Sequence, residues 1–259
     1  MLRIDVVTLF PQMISDALRH SIVFRALERN LVAINVIDLR DYTHDRHRTA
    51  DDTPYGGGGG MVMKIEPIAE ALEWLGCPLN NDTSAGCGII SRPRVILTDP
   101  RGRPFRQSLA REWAQEQHIV ILCGHYEGVD ERVSKFLVTD SVSIGDYVLT
   151  GGELPALVIV DALTRLQAGA LGGDSAAEKD SFAEQLLEYP QYTKPATFNG
   201  WAVPEMLLCG HHALITKWRR WHQLKLTSKH RPDLIREDLL SAADIKLLNE
   251  PEPVPPATK

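Results

Sequence analysis

Four apolar runs rich in β-branched residues, at 4–9, 32–37, 95–98 and 119–123, alternate along this chain with stretches of helical periodicity such as 67–75 and 107–117. β-branched runs of that length suit a pleated surface, and strands separated by helices come to lie side by side in one direction. The pattern predicts an α/β fold with a mostly parallel sheet. Ligands of open parallel sheets bind beyond the carboxyl ends of the strands, so the segments that follow each run are where a site is expected.

A further helix is expected over 153–168, where Leu154, Leu157, Val158, Asp161, Ala162 and Arg165 recur at spacings of three and four. Residues 169–180 are small and polar without periodicity, as in a linker. Beyond them the pattern is helical over 181–249, and the prolines of 251–256 cannot continue a helix because they lack an N–H donor. The division expected is a cofactor-binding domain at 1–168, a flexible linker at 169–182, a small all-α domain at 183–250 and a disordered tail at 251–259. Two Gly/Pro-rich or polar interruptions, 41–60 and 76–93, are longer than a connection needs, and long loops in compact domains are usually functional or mobile.

With 44% hydrophobic and 24% charged residues, the chain has the composition of a globular protein rather than a disordered or fibrous one. Its apolar start is too short for a signal peptide or a membrane span, which predicts a cytoplasmic protein with no membrane partner. Cys77, Cys87, Cys123 and Cys209 show no zinc-ligand spacing and read as free thiols. The net charge of −6 mildly disfavours nucleic acid as an average, but binding follows the local field. Locally, 217–236 holds seven Lys or Arg against one Asp, interleaved with Trp218 and Trp221, a composition that suits RNA. Packing of both tryptophans into a helical core is the competing reading.

Gly56–Gly60 invites a phosphate-loop reading, yet Met-Val-Met-Lys follows instead of Gly-Lys-Ser/Thr, leaving a flexible turn or a bare surface for a ligand. Arg46, His47 and Arg48 precede it and can contact phosphates, or form a solvated loop balanced by nearby aspartates. Two further Gly-interrupted loops, CGHYEGVD at 123–130 and SIGDYVLTGGELP at 143–155, follow probable strands and suggest one shared pocket. Arg165 and Asp180 could supply a guanidinium and a proton-accepting carboxylate, or merely a surface cation and a helix cap.

THDRHR at 43–48, DTPYGGG at 52–58, CGHYEG at 123–128, SIGDYVL at 143–149, GGELP at 151–155 and DSF at 180–182 stand in the order and spacing of one family. The chain closely resembles the bacterial tRNA (guanine-N1)-methyltransferases of the SPOUT superfamily, from about residue 4 to about residue 248. That resemblance implies a SPOUT-type α/β domain with a deep trefoil knot within about 95–168, a homodimer with its active site at the subunit interface, and a tRNA-binding helical domain. It implies transfer of the methyl of S-adenosylmethionine to N1 of the guanine at tRNA position 37, beside the anticodon, when another guanine precedes it. By the same resemblance, Pro100, Gly124, Tyr126, Glu127, Gly128, Ile144, Gly145, Tyr147, Leu149, Gly151 and Gly152 hold the cofactor, Asp180 is the general base and Arg165 neutralises charge on the guanine oxygen. Arg46, His47, Arg48, Lys217, Arg219 and Arg220 are the residues expected on the tRNA. A dependence on magnesium is implied as well, with no ligand set for it visible in the sequence. The chain departs from the family at His125, where many relatives carry Arg, and at Asp99, where some carry Ser.

Two rival readings remain at this level. One is a methyltransferase acting on another RNA atom, with Cys123 as nucleophile for a pyrimidine carbon; the other is a non-catalytic RNA-binding protein.

Overall fold

The computed structural model describes residues 1–77, 92–172, 180–236 and 238–255. The chain falls into two units, Met1–Asp174 and Ser175–Lys259.

In the first unit, β1 (Leu2–Thr8) buries every residue except Arg3, so it must be covered on both faces. It sits inside a five-stranded sheet with β2 (Val32–Asp38), β5 (Arg94–Pro104), β6 (His118–Cys123) and β7 (Asp140–Ser143), in the order β2-β1-β6-β5-β7. Every neighbouring pair in that sheet is parallel, with Ile4 opposite Ile119 and Val95 opposite Val120. The period of two sorts β6 between two cores. Ile119, Ile121 and Cys123 pack with α1 (Pro11–Ala17), α2 (Ser21–Glu28), α4 (Gln107–Trp113) and α6 (Glu153–Arg165). Val120 and Leu122 pack with α3 (Ile65–Trp74) and α5 (Glu131–Phe136) on the other face. A short antiparallel hairpin, β3 (Asp51–Asp52) with β4 (Val62–Met63), carries the glycine run at its tip.

The mostly parallel α/β class holds. The strands expected at 4–9, 32–37, 95–98 and 119–123 are β1, β2, β5 and β6. β7 is four residues long and lacks an extended apolar run, which is why its pattern is weak. β5 pairs with β7 twice, through Thr98 and again through Arg103, both opposite Val142, and the intervening residues bulge out beyond the sheet.

The second unit is built on the helix His212–His230, with shorter helices Glu205–Leu208 and Ala242–Asn249. Leu186, Leu224 and Leu247 form its core. The helical pattern expected over 181–249 holds only from Glu205 onward: among the described residues 181–204 there is no helix, only turns, extended chain and a hairpin of two-residue strands, Thr197–Phe198 with Trp201–Ala202, turning through Asn199 and Gly200 at positive φ. Part of the expected tail, residues 251–255, is described, and Glu252 there accepts a hydrogen bond from Trp218 Nε1 at 2.8 Å. Cys87, most of the long stretch 76–93, residues 173–179 of the expected linker and residues 256–259 lie outside the described residues.

Candidate active site

β5, β6 and β7 end on the same edge of the sheet, and each is followed by a loop that turns over that edge. Between those loops lies a cleft of about 450 Å³, in the range of small-molecule sites. All eleven residues expected at the cofactor line it: Pro100 from the β5 bulge, Gly124, Tyr126, Glu127 and Gly128 after β6, and Ile144, Gly145, Tyr147, Leu149, Gly151 and Gly152 after β7. Thr98, Arg101, Val148, Thr150 and Pro155 line it too. Val148, Thr150 and Pro155 belong to the motif segment 143–155, whereas Thr98 and Arg101 carry no motif; of these two Thr98 gives a signal, as a polar residue closing a buried apolar strand.

The floor is main chain. The Gly152 amide donates to the Gly124 carbonyl at 2.7 Å, and Gly151 bridges to His125, so the two loops are stitched together. A Cβ on Gly152 would lie 2.1 Å from Thr98 Oγ1 and 2.7 Å from the Gly124 nitrogen, so no larger residue fits without a shift. Gly152 also opens α6, whose first amides have no partner inside the helix and carry the positive end of its dipole. Tyr126 sits at φ +59 in the left-handed region, a strained position for a residue with a side chain. Burial raises its phenol pKa, with the Asp51 carboxylate adding to the rise.

The hairpin β3–β4 braces the loop from its outer side. Met63 N donates to Gly128 O at 2.9 Å and Glu127 N donates to Met61 O at 3.0 Å. In the glycine run, nothing stands near Gly56 to Gly59, whereas the space beside Gly60 is filled by the Glu127 side chain. The run is therefore an open turn for four residues and a close approach only at Gly60, not a phosphate cradle.

The two residues expected to carry the chemistry fall in different units. Arg165 is half-buried in the last turn of α6. Asp180 is half-buried, and residues 181–184 after it are turns rather than a helix, which removes the helix-cap reading. Cys123 is fully buried; burial pushes its thiol well above the ordinary value, with Glu153 adding to the effect, so it is a poor nucleophile.

Of the cations expected on tRNA, Arg46, His47 and Arg48 are exposed, and Arg48 pairs with Asp41. On the long helix Lys217 pairs with Glu250 at 2.9 Å, Arg220 pairs with Asp244 and Glu184 at 2.7 Å, and Arg219 lies over the Tyr189 ring. Trp218 is buried and Trp221 half-buried, its Nε1 donating to Glu250 O at 3.0 Å. The core reading of these tryptophans prevails over that of a stacking platform. Among the described residues no cluster of three or more His, Cys, Asp or Glu side chains offers a metal site.

Residues 2–237 match the family model described as tRNA (Guanine-1)-methyltransferase TrmD. A tRNA (guanine-N(1)-)-methyltransferase of Brevibacillus brevis is 51% identical over 251 residues, covering 97% of this chain and 98% of that protein. Proteins of the same name from Dehalococcoides mccartyi and Desulforamulus reducens are 49% and 51% identical over 249 residues, covering 96% of this chain and 96% and 94% of theirs.

Proposed function

Because the chain belongs to the tRNA (guanine-1)-methyltransferase family, we propose that it moves the methyl of S-adenosylmethionine to N1 of the guanine at tRNA position 37 when another guanine precedes it. The observation that carries this reading is the cleft floored by main chain at Gly124, Gly151 and Gly152. A nucleoside with an amino-acid tail fits such a floor, because bare backbone supplies donors and acceptors at close range while Tyr126, Ile144, Tyr147 and Leu149 offer apolar walls. When bound, S-adenosylmethionine supplies a methyl carbon activated by the sulfonium it is attached to.

Guanine N1 carries a proton and is a poor nucleophile, so a base must act as the new bond forms. Asp180 takes that proton, the N1 electron pair bonds to the methyl carbon, and the broken C–S pair returns to sulfur. Arg165 opposes the charge that builds on the guanine oxygen. No step is routed through magnesium.

The reading includes a homodimer. Arg165 lies thirteen residues along α6 from Gly152, about 20 Å at 1.5 Å per residue, too far to reach a base at the cleft of its own subunit. Leu154, Val158, Asp161 and Arg165 form one stripe on that helix, and Leu154 and Val158 are exposed. Antiparallel packing of two copies along this stripe covers the apolar residues and brings Arg165 of the partner subunit to the cleft. A knot within about 95–168 is part of the same proposal, supported by the path from β7 to α6, which brings Gly152 against both Thr98 and Cys123. No described helix is long and apolar enough to cross a membrane, and a tRNA substrate puts the working site in the cytoplasm.

The test is digestion of tRNA after incubation with methyl-labelled cofactor. Label in 1-methylguanosine at position 37 is expected; label in any other nucleoside rejects the assignment. Asp180→Asn is expected to bind cofactor normally and lose about 100-fold or more in turnover.

A further inference from the structure

At the cleft floor, His125, which lines the cleft, and Glu153 face each other from the two loops that the cofactor reading brings together. Glu153 is buried at 3% exposure, and one of its oxygens accepts from Thr8 Oγ1 at 2.7 Å. Its other oxygen stands 4.0 Å from His125 Nδ1, too far for a hydrogen bond, and that nitrogen is buried without a partner. Gly151 caps the pair: a Cβ there would lie 2.4 Å from Glu153 Oε2 and 2.5 Å from His125 Nδ1, so only glycine leaves the two free to close. A buried nitrogen without a partner beside a buried carboxyl is a costly arrangement that one proton resolves.

We propose that His125 and Glu153 form a proton-operated clasp that positions the cofactor loops: the imidazolium bonds Glu153 and draws Gly124–Gly128 onto Gly151–Gly152. His125 acts through these loops and is a positioning residue, not a catalytic one. The groups that face it decide the balance. Phe10, tilted by 53°, and Tyr126, edge-on at 85°, pack against the ring at centroid distances of 4.9 Å. Arg40, behind Phe10 at 5.8 Å from its centroid, opposes the added proton. The Cys123 thiol beside Glu153 stays neutral, and the backbone N of His125 donates to Met63 Sδ at 3.1 Å. Glu153 is thus the carboxyl group that faces Nδ1, at 4.0 Å.

The proposal rests on the S-adenosylmethionine reading of the cleft, and the test separates the two. Cofactor affinity is measured by calorimetry between about pH 5.5 and 8, where an imidazole changes charge, for the wild-type protein, His125→Arg and Glu153→Gln. The cofactor's own amino group titrates near the upper end, so the quantity read is the ratio of wild-type to variant Kd. Binding that favours the imidazolium weakens as pH rises; the wild-type Kd is expected to increase about fivefold relative to His125→Arg. Glu153→Gln should lose the wild-type pH dependence although His125 is still present. A constant ratio across the range, or a Glu153→Gln profile that still follows the wild type, overturns the clasp. Wild-type protein that binds no cofactor at any pH refutes the cleft assignment itself.

Discussion

Gly152→Ala adds one methyl group at the point where three segments meet, and its effect can be worked from distances. The new carbon would lie 2.1 Å from Thr98 Oγ1, about 1.4 Å inside ordinary contact, and 2.7 and 2.8 Å from the Gly124 nitrogen and Cys123 Cα. Two of these neighbours are backbone atoms at strand ends and cannot rotate away. Gly152 is at φ −84, so no left-handed strain enters and the cost is steric. Overpacking of this kind costs about 1–3 kcal/mol, and alanine is a poorer helix N-cap than glycine by under about 1 kcal/mol. At about 2–4 °C per kcal/mol for a unit of this size, the first unit should melt roughly 2–16 °C lower. Cofactor binding should fall by about tenfold or more, because the 2.7 Å bond from Gly152 to Gly124 has to lengthen. Thr98→Ala in the same chain removes the nearest atom but not the two backbone contacts, so it should restore part of the melting temperature and little of the affinity. The measurements are thermal unfolding and calorimetry on the two single variants and the double variant. Gly152→Ala with wild-type melting and wild-type affinity would refute the claim that the floor is filled to contact.

Three shorter predictions follow from the same geometry. Asp244 is held at about 2 by its bonds to Arg220 and then Ser241; its contribution is present above the unfolded value near 3.9 and lost as pH falls toward 2. Asp244→Asn should therefore remove about 1–2 kcal/mol from the second unit at pH 7 and flatten its acid melting curve between about pH 4 and 2. Cys123→Ala should keep methylation within about threefold, losing only about 1–2 kcal/mol of stability from the small core cavity; a dead enzyme with normal melting would restore the thiol as nucleophile. Trp218→Ala should destabilise the second unit by about 3–5 kcal/mol while the dependence of tRNA affinity on salt stays as in the wild type, since that slope counts phosphate contacts.

The sheet was legible because β1, β2, β5 and β6 are apolar on both faces and therefore read as continuous runs. β7 was not, since four residues of which three are polar carry no apolar periodicity, and its place beside β5 comes from tertiary pairing alone. In the cleft, the glycines and Tyr126 were readable from their motifs, and the reason for Gly152 is visible only once Thr98, Cys123 and Gly124 converge on it from distant segments. The charge count over 217–236 saw seven cations but not their partners. Asp244 and Glu250 stand outside that window and neutralise Arg220 and Lys217, which no local composition can register.

A floor of peptide groups also limits how this site can change by point substitution. Every residue carries a backbone C=O and every residue except proline an amide N–H, so no substitution short of proline deletes the donors and acceptors a cofactor mimic would address. What it can do is add bulk, and at Gly151 and Gly152 the space is already taken by His125, Glu153, Thr98 and Gly124. A variant escaping such a compound would have to arise at the walls, at Tyr126, Ile144, Tyr147, Val148 or Leu149, whose side chains can change the shape of the cleft they line. Compounds that rest their affinity on the floor should therefore meet escape variants that are fewer and less stable than those selected by compounds resting on the walls.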